Sequence, residues 1–302
     1  MTETQDNLLP ENKMAERGPV LTWVVCAICI IVHLGLSYGG AADSWESASK
    51  WGYYPPGAEW EGKYWRLMTS VFVHLETWHL VFNLYWLWVL GGRLEKAIGA
   101  VKWLGFFLIA AIVSSGIQLA VSSVTGIGAS GVVYAIFGFM WFSRNHFEGF
   151  KDVLSRQTIF LFVIWLFVCL AATISKLWEV GNAAHISGLL FGALVAEAFV
   201  AKRKEYLAKF AGLIMIAASI VSLFWCPWSA TWVSMKAYKA HTSGDYSKAV
   251  SLYRRSLELG QDAVWVWTNL AIAYKQMGDE ARYEEALKTL EKLDEKAAQS
   301  DR

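Results

Sequence analysis

Four polar side chains in otherwise apolar stretches of the sequence have types that can do chemistry together. They are Ser130, His185, His79 and Asn83. A serine hydroxyl becomes a nucleophile when a base lies within hydrogen-bond reach, and a histidine such as His185 can take and return a proton near neutral pH. Donors from Asn83, His79 and the Ser130 backbone would form an oxyanion hole. The set is complete for attack on a carbonyl, and the absence of a well-placed acidic residue predicts a Ser-His dyad rather than a triad.

Each of these residues also has a plainer interpretation. Ser130 is of the type that caps the start of a helix. His79 and Asn83 are four residues apart, so in a helix they share one face and could satisfy each other. Gly-x-Ser-Gly around Ser130 is not the Gly-x-Ser-x-Gly elbow of soluble hydrolases, because residue 132 is Val. The catalytic interpretation therefore rests on the combination of residues and not on any one of them.

Small residues accompany both members of the predicted dyad. Gly131 and Gly138 follow Ser130, and Gly188-x-x-x-Gly192 follows His185. Small-residue faces let helices approach closely in a membrane. These glycines are expected to bring the helix of His185 against the helix of Ser130.

The elements that would position these residues are stretches without Asp, Glu, Lys or Arg. These stretches are residues 18–42, 77–92, 103–143, 157–175, 180–196 and 210–235. A span needs about 20 apolar residues, so residues 103–143 are long enough for two spans with a turn at 122–128. Seven membrane spans are predicted. His79, Ser130 and His185 then begin the second, fourth and sixth spans, which start on one side of the membrane.

The composition agrees with a chain whose two parts lie in different solvents. Hydrophobic residues make up 55% of it and charged residues 18%, which is too apolar for an ordinary soluble protein. Of the charged residues, 22 lie in the 68 residues from Met235 onward. The net charge of +1 gives no basic field for nucleic acid. Most of the four cysteines lie inside apolar stretches, so no disulfide framework, metal site or cofactor is predicted.

We predict an all-α protein in four segments. Residues 1–19 form a cytoplasmic tail, 20–201 a six-span core, 202–234 a basic linker with a seventh span, and 235–302 helical repeats. Twelve Lys and Arg lie on the side of the N-terminus against four in the opposite loops, which predicts a cytoplasmic N-terminus. Seven spans then put the repeats outside, whereas six would leave them in the cytoplasm. A cleavable signal peptide is the alternative for the first span.

The C-terminal segment has a repeat of 34 residues, which is the period of a tetratricopeptide helix pair. Gly244-Asp245 recurs as Gly278-Asp279. The small residue expected after the second turn is displaced to Ala286. Since about three such repeats are needed for a self-stable stack, the pair is expected to pack on the membrane end of the chain or on a partner, and a plain helical cap is the alternative.

Taken together, Gly128-Ala129-Ser130-Gly131, Ala184-His185-x-x-Gly188-x-x-x-Gly192 and His79-x-x-x-Asn83 resemble the motifs of the rhomboid intramembrane serine proteases. The resemblance covers roughly residues 20–200. It extends to Trp65-Arg66 in the first loop and to Gly91-x-x-x-Glu95 at the end of the second span. It implies Ser130 as nucleophile, His185 as base, an oxyanion hole of His79, Asn83 and the Ser130 amide, and Tyr134 packed on the His185 ring.

The predicted function is cleavage of transmembrane segments of other membrane proteins near the outer face of the bilayer, by a multi-pass protein of a bacterial inner membrane. The expected partners are transmembrane substrates, lipid and a protein bound by the repeats. A catalytically silent binder of membrane helices is the alternative, against which the intact Ser130 and His185 argue. A transporter is the third hypothesis, and the lack of carboxylates in mid-span weighs against it.

Overall fold

A computed structural model describes residues 18–41, 43–200, 205–260 and 264–300 of the chain, and every regular element among them is helical. The chain divides into two compact units, Met1–Leu223 and Phe224–Arg302. Most of the predicted N-terminal tail and the basic residues 202–204 of the predicted linker lie outside the described residues.

The first unit is a bundle of long apolar helices joined by short ones. Its α-helices are α1 Val20–Tyr38, α2 Trp45–Ser49, α3 Arg66–Thr69, α4 Thr77–Trp86, α5 Gly92–Ile98, α6 Ala100–Ser122, α7 Ser130–Phe142, α8 Glu148–Lys151, α9 Arg156–Ile174, α10 Asn182–Val200 and α11 Glu205–Val221. Four of them, α1, α6, α9 and α10, are each long and apolar enough to cross a membrane alone. The other predicted spans correspond to α4 with α5, to α7 and to α11.

The second predicted span is a helix interrupted by a π-helical turn. Residues Leu87–Gly91 form this turn between α4 and α5. Beyond it, Glu95 is buried and accepts hydrogen bonds from the backbone N–H groups of Leu21 and Thr22, at 3.0 and 2.7 Å, and from the Thr22 hydroxyl at 2.8 Å. The first N–H groups of a helix have no partner within it. Glu95 thus caps α1 and ties the second span to the first.

Helices α7 and α10 are in direct backbone contact. A side chain on Gly188 would collide with the Gly131 carbonyl, one on Gly192 with the Ala135 carbonyl, and one on Gly138 with the Leu189 carbonyl. Lipid chains are as apolar as the helices, so close van der Waals approach replaces the hydrophobic effect as the attraction between them. The predicted small-residue contact is present, and it lies directly beside the starts of both helices.

The second unit consists of two helix pairs, α12 Ala230–Thr242 with α13 Tyr246–Glu258 and α14 Val264–Gln276 with α15 Glu280–Ser300. The predicted start of the repeats at residue 235 falls inside α12. The uncharged stretch 210–235 contains most of α11 and also the first residues of α12. Helix α11 ends at Val221, and the Ser229 side chain accepts a hydrogen bond from the Trp232 N–H to start α12.

The core of this second unit is made of small and aromatic residues. Tyr253, Leu270 and Ala286 are buried in it, so the displaced Ala286 of the second repeat still packs inside. Between the helices of each pair, Gly244 and Gly278 have positive φ values of 80° and 70°. Glycine adopts this conformation without the penalty that a Cβ brings.

Candidate active site

Ser130 and His185 lie at the starts of two helices that pack together. Ser130 is the first residue of α7, and His185 lies in the first turn of α10. The His185 Nε2 and the Ser130 Oγ are 2.8 Å apart, a hydrogen-bond distance. The two residues are 55 positions apart in the sequence, and the glycine contacts that hold α7 against α10 bring them together. This is the arrangement in which an imidazole can remove a serine proton.

The His185 ring is oriented by packing. It is buried, and within the described part of the chain its Nδ1 has no hydrogen-bond partner. The ring of Tyr134 lies over it, with the centroids 4.8 Å apart and the planes inclined by 31°. The Tyr134 hydroxyl donates to the Phe162 carbonyl at 3.0 Å. Tyr134 is therefore held at its hydroxyl and covers the face of the His185 ring, whereas the acidic residue of a triad would accept a hydrogen bond at the Nδ1 edge.

His79 and Asn83 lie on one face of α4, beside the same pair. The Asn83 Nδ2 donates to the backbone carbonyl of His79 at 3.1 Å and not to the His79 ring, which differs from the plainer interpretation of a mutually satisfied pair. An amide nitrogen carries a second hydrogen. The His79 ring lies next to Gly128, whose positive φ of 94° and missing side chain leave the room for it. Both groups line a cavity of about 960 Å³ that Ser130 and His185 also line.

The cavity reaches into the depth of the bundle because α7 is short. Its 13 residues are about 20 Å long, whereas the hydrocarbon core of a bilayer is about 30 Å thick. Ser130 therefore lies roughly 10 Å below one surface if the other end of α7 is at the opposite surface. A polar group at this depth is costly unless it faces protein or water, and the cavity supplies such a face.

His74 is a further residue of this site that lies outside the motifs described above. It is fully buried, and its Nε2 accepts a hydrogen bond from the Ala129 N–H at 3.3 Å. Its Nδ1 is 3.2 Å from the Phe72 carbonyl, so this nitrogen carries the proton. His74 holds the loop residue just before Ser130. Its residue type and its position five residues before His79 are the features of the sequence that indicate a place in the site. Glu76 lies between the two histidines, so His74 falls outside the uncharged stretch that begins at residue 77.

The sequence was also compared with known proteins. A family model described as the rhomboid domain matches residues 61–203, and a tetratricopeptide-repeat model matches residues 240–302. The rhomboid protease GlpG of Haemophilus influenzae is 33% identical over 191 residues, which are 61% of this chain and 92% of that protein. The chain belongs to the rhomboid family. The GlpG proteases of Salmonella paratyphi A and Salmonella typhi are 31% identical over 183 residues, 61% of this chain and 64% of those proteins.

These relationships support a multi-pass intramembrane serine protease with a tetratricopeptide-like C-terminal region. In this rhomboid the two first-loop residues of the predicted motif, Trp65 and Arg66, differ in burial. Trp65 is 45% exposed and packs edge-on against Tyr54. Arg66 is buried, and its Nη1 lies 2.9 Å from the Glu59 carboxylate and donates to the Pro55 carbonyl at 2.9 Å.

Glu59 is the ion-pair partner of Arg66, and no motif in the sequence indicates this pairing. Its side chain is completely buried. Burial raises the pKa of the Glu59 carboxyl, and the Arg66 guanidinium and the Thr125 hydroxyl oppose that rise. Thr125 belongs to the loop that leads to Ser130. The ion pair therefore fastens the first loop of the rhomboid unit next to the segment that carries the serine.

Gln118 is a further polar residue of the site, uncharged and therefore inside the uncharged stretch 103–143. Its Oε1 accepts a hydrogen bond from the Ala184 N–H at 2.9 Å, and its Nε2 donates to the Ser122 hydroxyl at 2.7 Å. Ala184 directly precedes His185. Gln118 of α6 therefore satisfies an N–H group at the start of α10 that the helix itself leaves unpaired.

Proposed function

We propose that this protein is an endopeptidase that cuts transmembrane segments with a Ser130-His185 dyad, close to the outer face of the membrane. The observation that carries the proposal is the 2.8 Å separation of Ser130 Oγ and His185 Nε2 in a cavity recessed within a membrane bundle. Membership of the rhomboid family supports the same chemistry.

The reaction follows from the positions of the groups. His185 Nε2 takes the proton of the Ser130 hydroxyl as the oxygen attacks the carbonyl carbon of the scissile bond. The oxyanion that forms is stabilised by the second Asn83 N–H, the His79 ring and the Ser130 backbone N–H at the start of α7. His185 then protonates the leaving amine. A water molecule, deprotonated by His185, hydrolyses the acyl group from Ser130 and restores the hydroxyl.

The helices on which these groups lie make the site rigid. Gly188 and Gly192 keep α7 and α10 in contact. Gly131 leaves room for the Ser114 side chain of α6, and Gly128 leaves room for the His79 ring. Tyr134 fixes the plane of the His185 ring. Productive geometry is worth a large part of a catalytic barrier, so these positions act on cleavage without touching the substrate.

The substrate is a membrane helix that unwinds locally. A peptide bond in a regular helix is covered by its own backbone hydrogen bonds, so the chain must open to reach Ser130. Glycine and proline lower the cost of that opening. Small or helix-breaking residues are expected near the cut.

The topology and the C-terminal region complete the proposal. The excess of Lys and Arg on the side of the N-terminus supports a cytoplasmic N-terminus in an inner membrane. With α11 as a seventh span, the helical repeats lie outside, where they bind a protein partner or the soluble part of a substrate. A reporter fused after Arg302 tests this arrangement: a signal from the cytoplasm would contradict it.

The activity is tested with purified protein in liposomes that contain single-span test substrates. Wild-type protein is compared with Ser130→Ala and with the control Ser187→Ala, a buried serine of α10 that donates to the Ala184 carbonyl of its own helix. We expect cleavage by the wild type and the control and none by Ser130→Ala. Labelling by a phosphonate that reacts with activated serines should follow the same pattern. Cleavage that survives Ser130→Ala would exclude the dyad, and binding without cleavage by the wild type would favour a silent binder.

A further inference from the structure

The last helix of the membrane unit contacts the core through two buried serines. Helix α11 lies outside the part that the rhomboid family model matches, residues 61–203. The Ser219 hydroxyl donates to the Val113 carbonyl of α6 at 3.2 Å, and the Ser222 hydroxyl donates to the Gly116 carbonyl at 3.1 Å. Each hydroxyl has one hydrogen, which it shares between this α6 carbonyl and a nearer carbonyl of the α11 segment itself, at 2.8 Å.

A glycine makes this approach possible. A Cβ on Gly116 would lie 2.5 Å from the Ser219 Cβ and 2.8 Å from its Cα, closer than atoms can pack. The contact is therefore a small-residue interface with hydrogen bonds across it, as is typical of helices that associate within a membrane. It lies at the same end of α6 as Gln118, the residue that contacts the start of α10.

The same end of α11 also binds the first loop. The Trp60 indole N–H donates to the Ser222 carbonyl at 2.9 Å. Next to this bond, Leu223 packs in a small cluster with Leu67 and Leu119. Trp60 follows Glu59 directly, and Glu59 forms the buried ion pair with Arg66. Arg66 in turn lines the cavity of Ser130.

We propose that α11 is a clamp on the first loop, and that Trp60 and Ser222 are positioning residues for the substrate. The clamp acts through the loop and does not touch the reacting atoms. Since Tyr53, Tyr54 and Arg66 of this loop line the active-site cavity, loosening the loop weakens substrate binding more than the chemical step. The proposal rests on the proposed protease function for its kinetic part only.

The experiment uses the full chain in liposomes and two measurements. The first is amide hydrogen exchange of residues 58–63. In this segment the Gly62 N–H donates to the backbone carbonyl of Glu59 at 3.2 Å, and the Lys63 N–H donates to the backbone carbonyl of Ala58 at 3.0 Å. The second is the separation of KM from kcat for a single-span test substrate. The variants are Trp60→Phe, which keeps the ring but lacks the N–H, and Ser222→Ala.

Matched controls are Trp23→Phe on α1 and Ser143→Ala, a buried serine that bonds to the Phe139 carbonyl of its own helix. For Trp60→Phe and Ser222→Ala we expect exchange of residues 58–63 to become roughly threefold faster and KM to rise roughly threefold, with kcat nearly unchanged, as for the loss of one interhelical hydrogen bond. Gly116→Ala, which pushes α11 away from α6, should give the same changes on a larger scale.

The outcomes separate the clamp from the protease function. Unchanged exchange of residues 58–63 in both variants would overturn the clamp, whatever the activity. Faster exchange with an unchanged KM would overturn its effect on the substrate. Cleavage that survives Ser130→Ala would overturn the protease function and would leave the exchange result as the test of the clamp.

Discussion

The two units of this protein use glycine and polar groups in different places. In the membrane unit, Gly188 and Gly192 lie inside a helix and remove side chains from a contact between backbones. In the repeat unit, Gly244 and Gly278 lie between helices, where they turn the chain, and have open space around them. The buried polar groups of the membrane unit include the ionisable side chain of His185, whereas those of the repeat unit include serines inside a core that is mainly alanine, valine and tyrosine.

The difference follows from the solvent of each unit. Water drives apolar side chains together, so the repeats need no close backbone approach. Lipid gives no such drive, and the membrane helices associate through shape and hydrogen bonds instead. The same requirement brings two helix starts, with their free N–H groups and polar side chains, close enough to do chemistry. Four substitutions test this comparison.

The largest effect is expected for Gly192→Val. A side chain here meets the Ala135 carbonyl and forces α10 away from α7, which separates His185 from Ser130. Because a displacement of about 1 Å can cost a factor of about 100, we expect cleavage to fall at least that far. Substrate cleavage and serine labelling measure it. Gly105→Val on α6 is the control, since open space surrounds that glycine, and an equal loss there would refute the explanation.

The second effect concerns a buried charge in the membrane unit. Arg66→Leu leaves the Glu59 carboxylate buried without its cation and should lower the free energy of unfolding by about 3–5 kcal/mol at pH 8. Burial already raises the pKa of Glu59, and loss of Arg66 raises it further. The variant should therefore regain stability as the pH falls, because protonation removes the buried charge. Unfolding curves between pH 8 and pH 5 measure this.

Glu59→Gln combined with Arg66→Leu is the control for the second prediction. It lacks the carboxylate, so its stability should not depend on pH in this way. A pH dependence of equal size in the double variant would assign the effect to another group.

The third effect belongs to the repeat unit alone. Leu270→Ala opens a cavity in the core of α12 to α15 and should cost about 3 kcal/mol of its stability. Thermal unfolding followed by hydrogen exchange measures the loss in residues 230–300. Ile272→Ala, at an exposed position of the same helix, should change stability by less than about 0.5 kcal/mol. Labelling of Ser130 should remain at the wild-type level in both variants.

The smallest effect is expected at a helix start in the repeat unit. The Asp279 carboxylate accepts a hydrogen bond from the backbone N–H of Arg282 at 3.2 Å. Asp279→Ala should therefore lower the free energy of unfolding by about 1 kcal/mol. Asp279→Asn keeps a capping oxygen while it removes the ion pair with the Arg282 guanidinium. If the Asn variant loses as much as the Ala variant, the ion pair and not the cap is the source of the stability. Chemical unfolding monitored by circular dichroism distinguishes the two.

Much of the membrane unit could be predicted from the sequence because lipid makes each departure from an apolar sequence expensive. The polar positions at Ser130 and His185 stood out for this reason, and the glycine spacing indicated that their helices would meet. The repeat period was similarly clear, since the Gly-Asp turn recurs at a fixed interval.

The rest depended on tertiary contacts that leave no periodic signal. Glu59 lies in a loop already rich in charges, so nothing marked it as the partner of Arg66. His74 had the right residue type, yet its role depends on a 3.3 Å contact with a residue 55 positions away. The start of α12 was obscured because its first six residues, 230–235, are uncharged and continue the uncharged stretch that begins in α11.

The π-helical turn at Leu87–Gly91 has a consequence for how this chain can change in length. A π turn holds one residue more than a regular helix would, and each residue of an α-helix advances the face by about 100°. The extra residue is accommodated inside the turn, so α5 keeps its face relative to His79 and Asn83. A residue gained or lost in a regular part of α4 or α5 would instead rotate everything between it and Glu95 by about 100°. Glu95 would then leave the start of α1, so the π turn is the place where this span can lose a residue and keep its cap on the first helix.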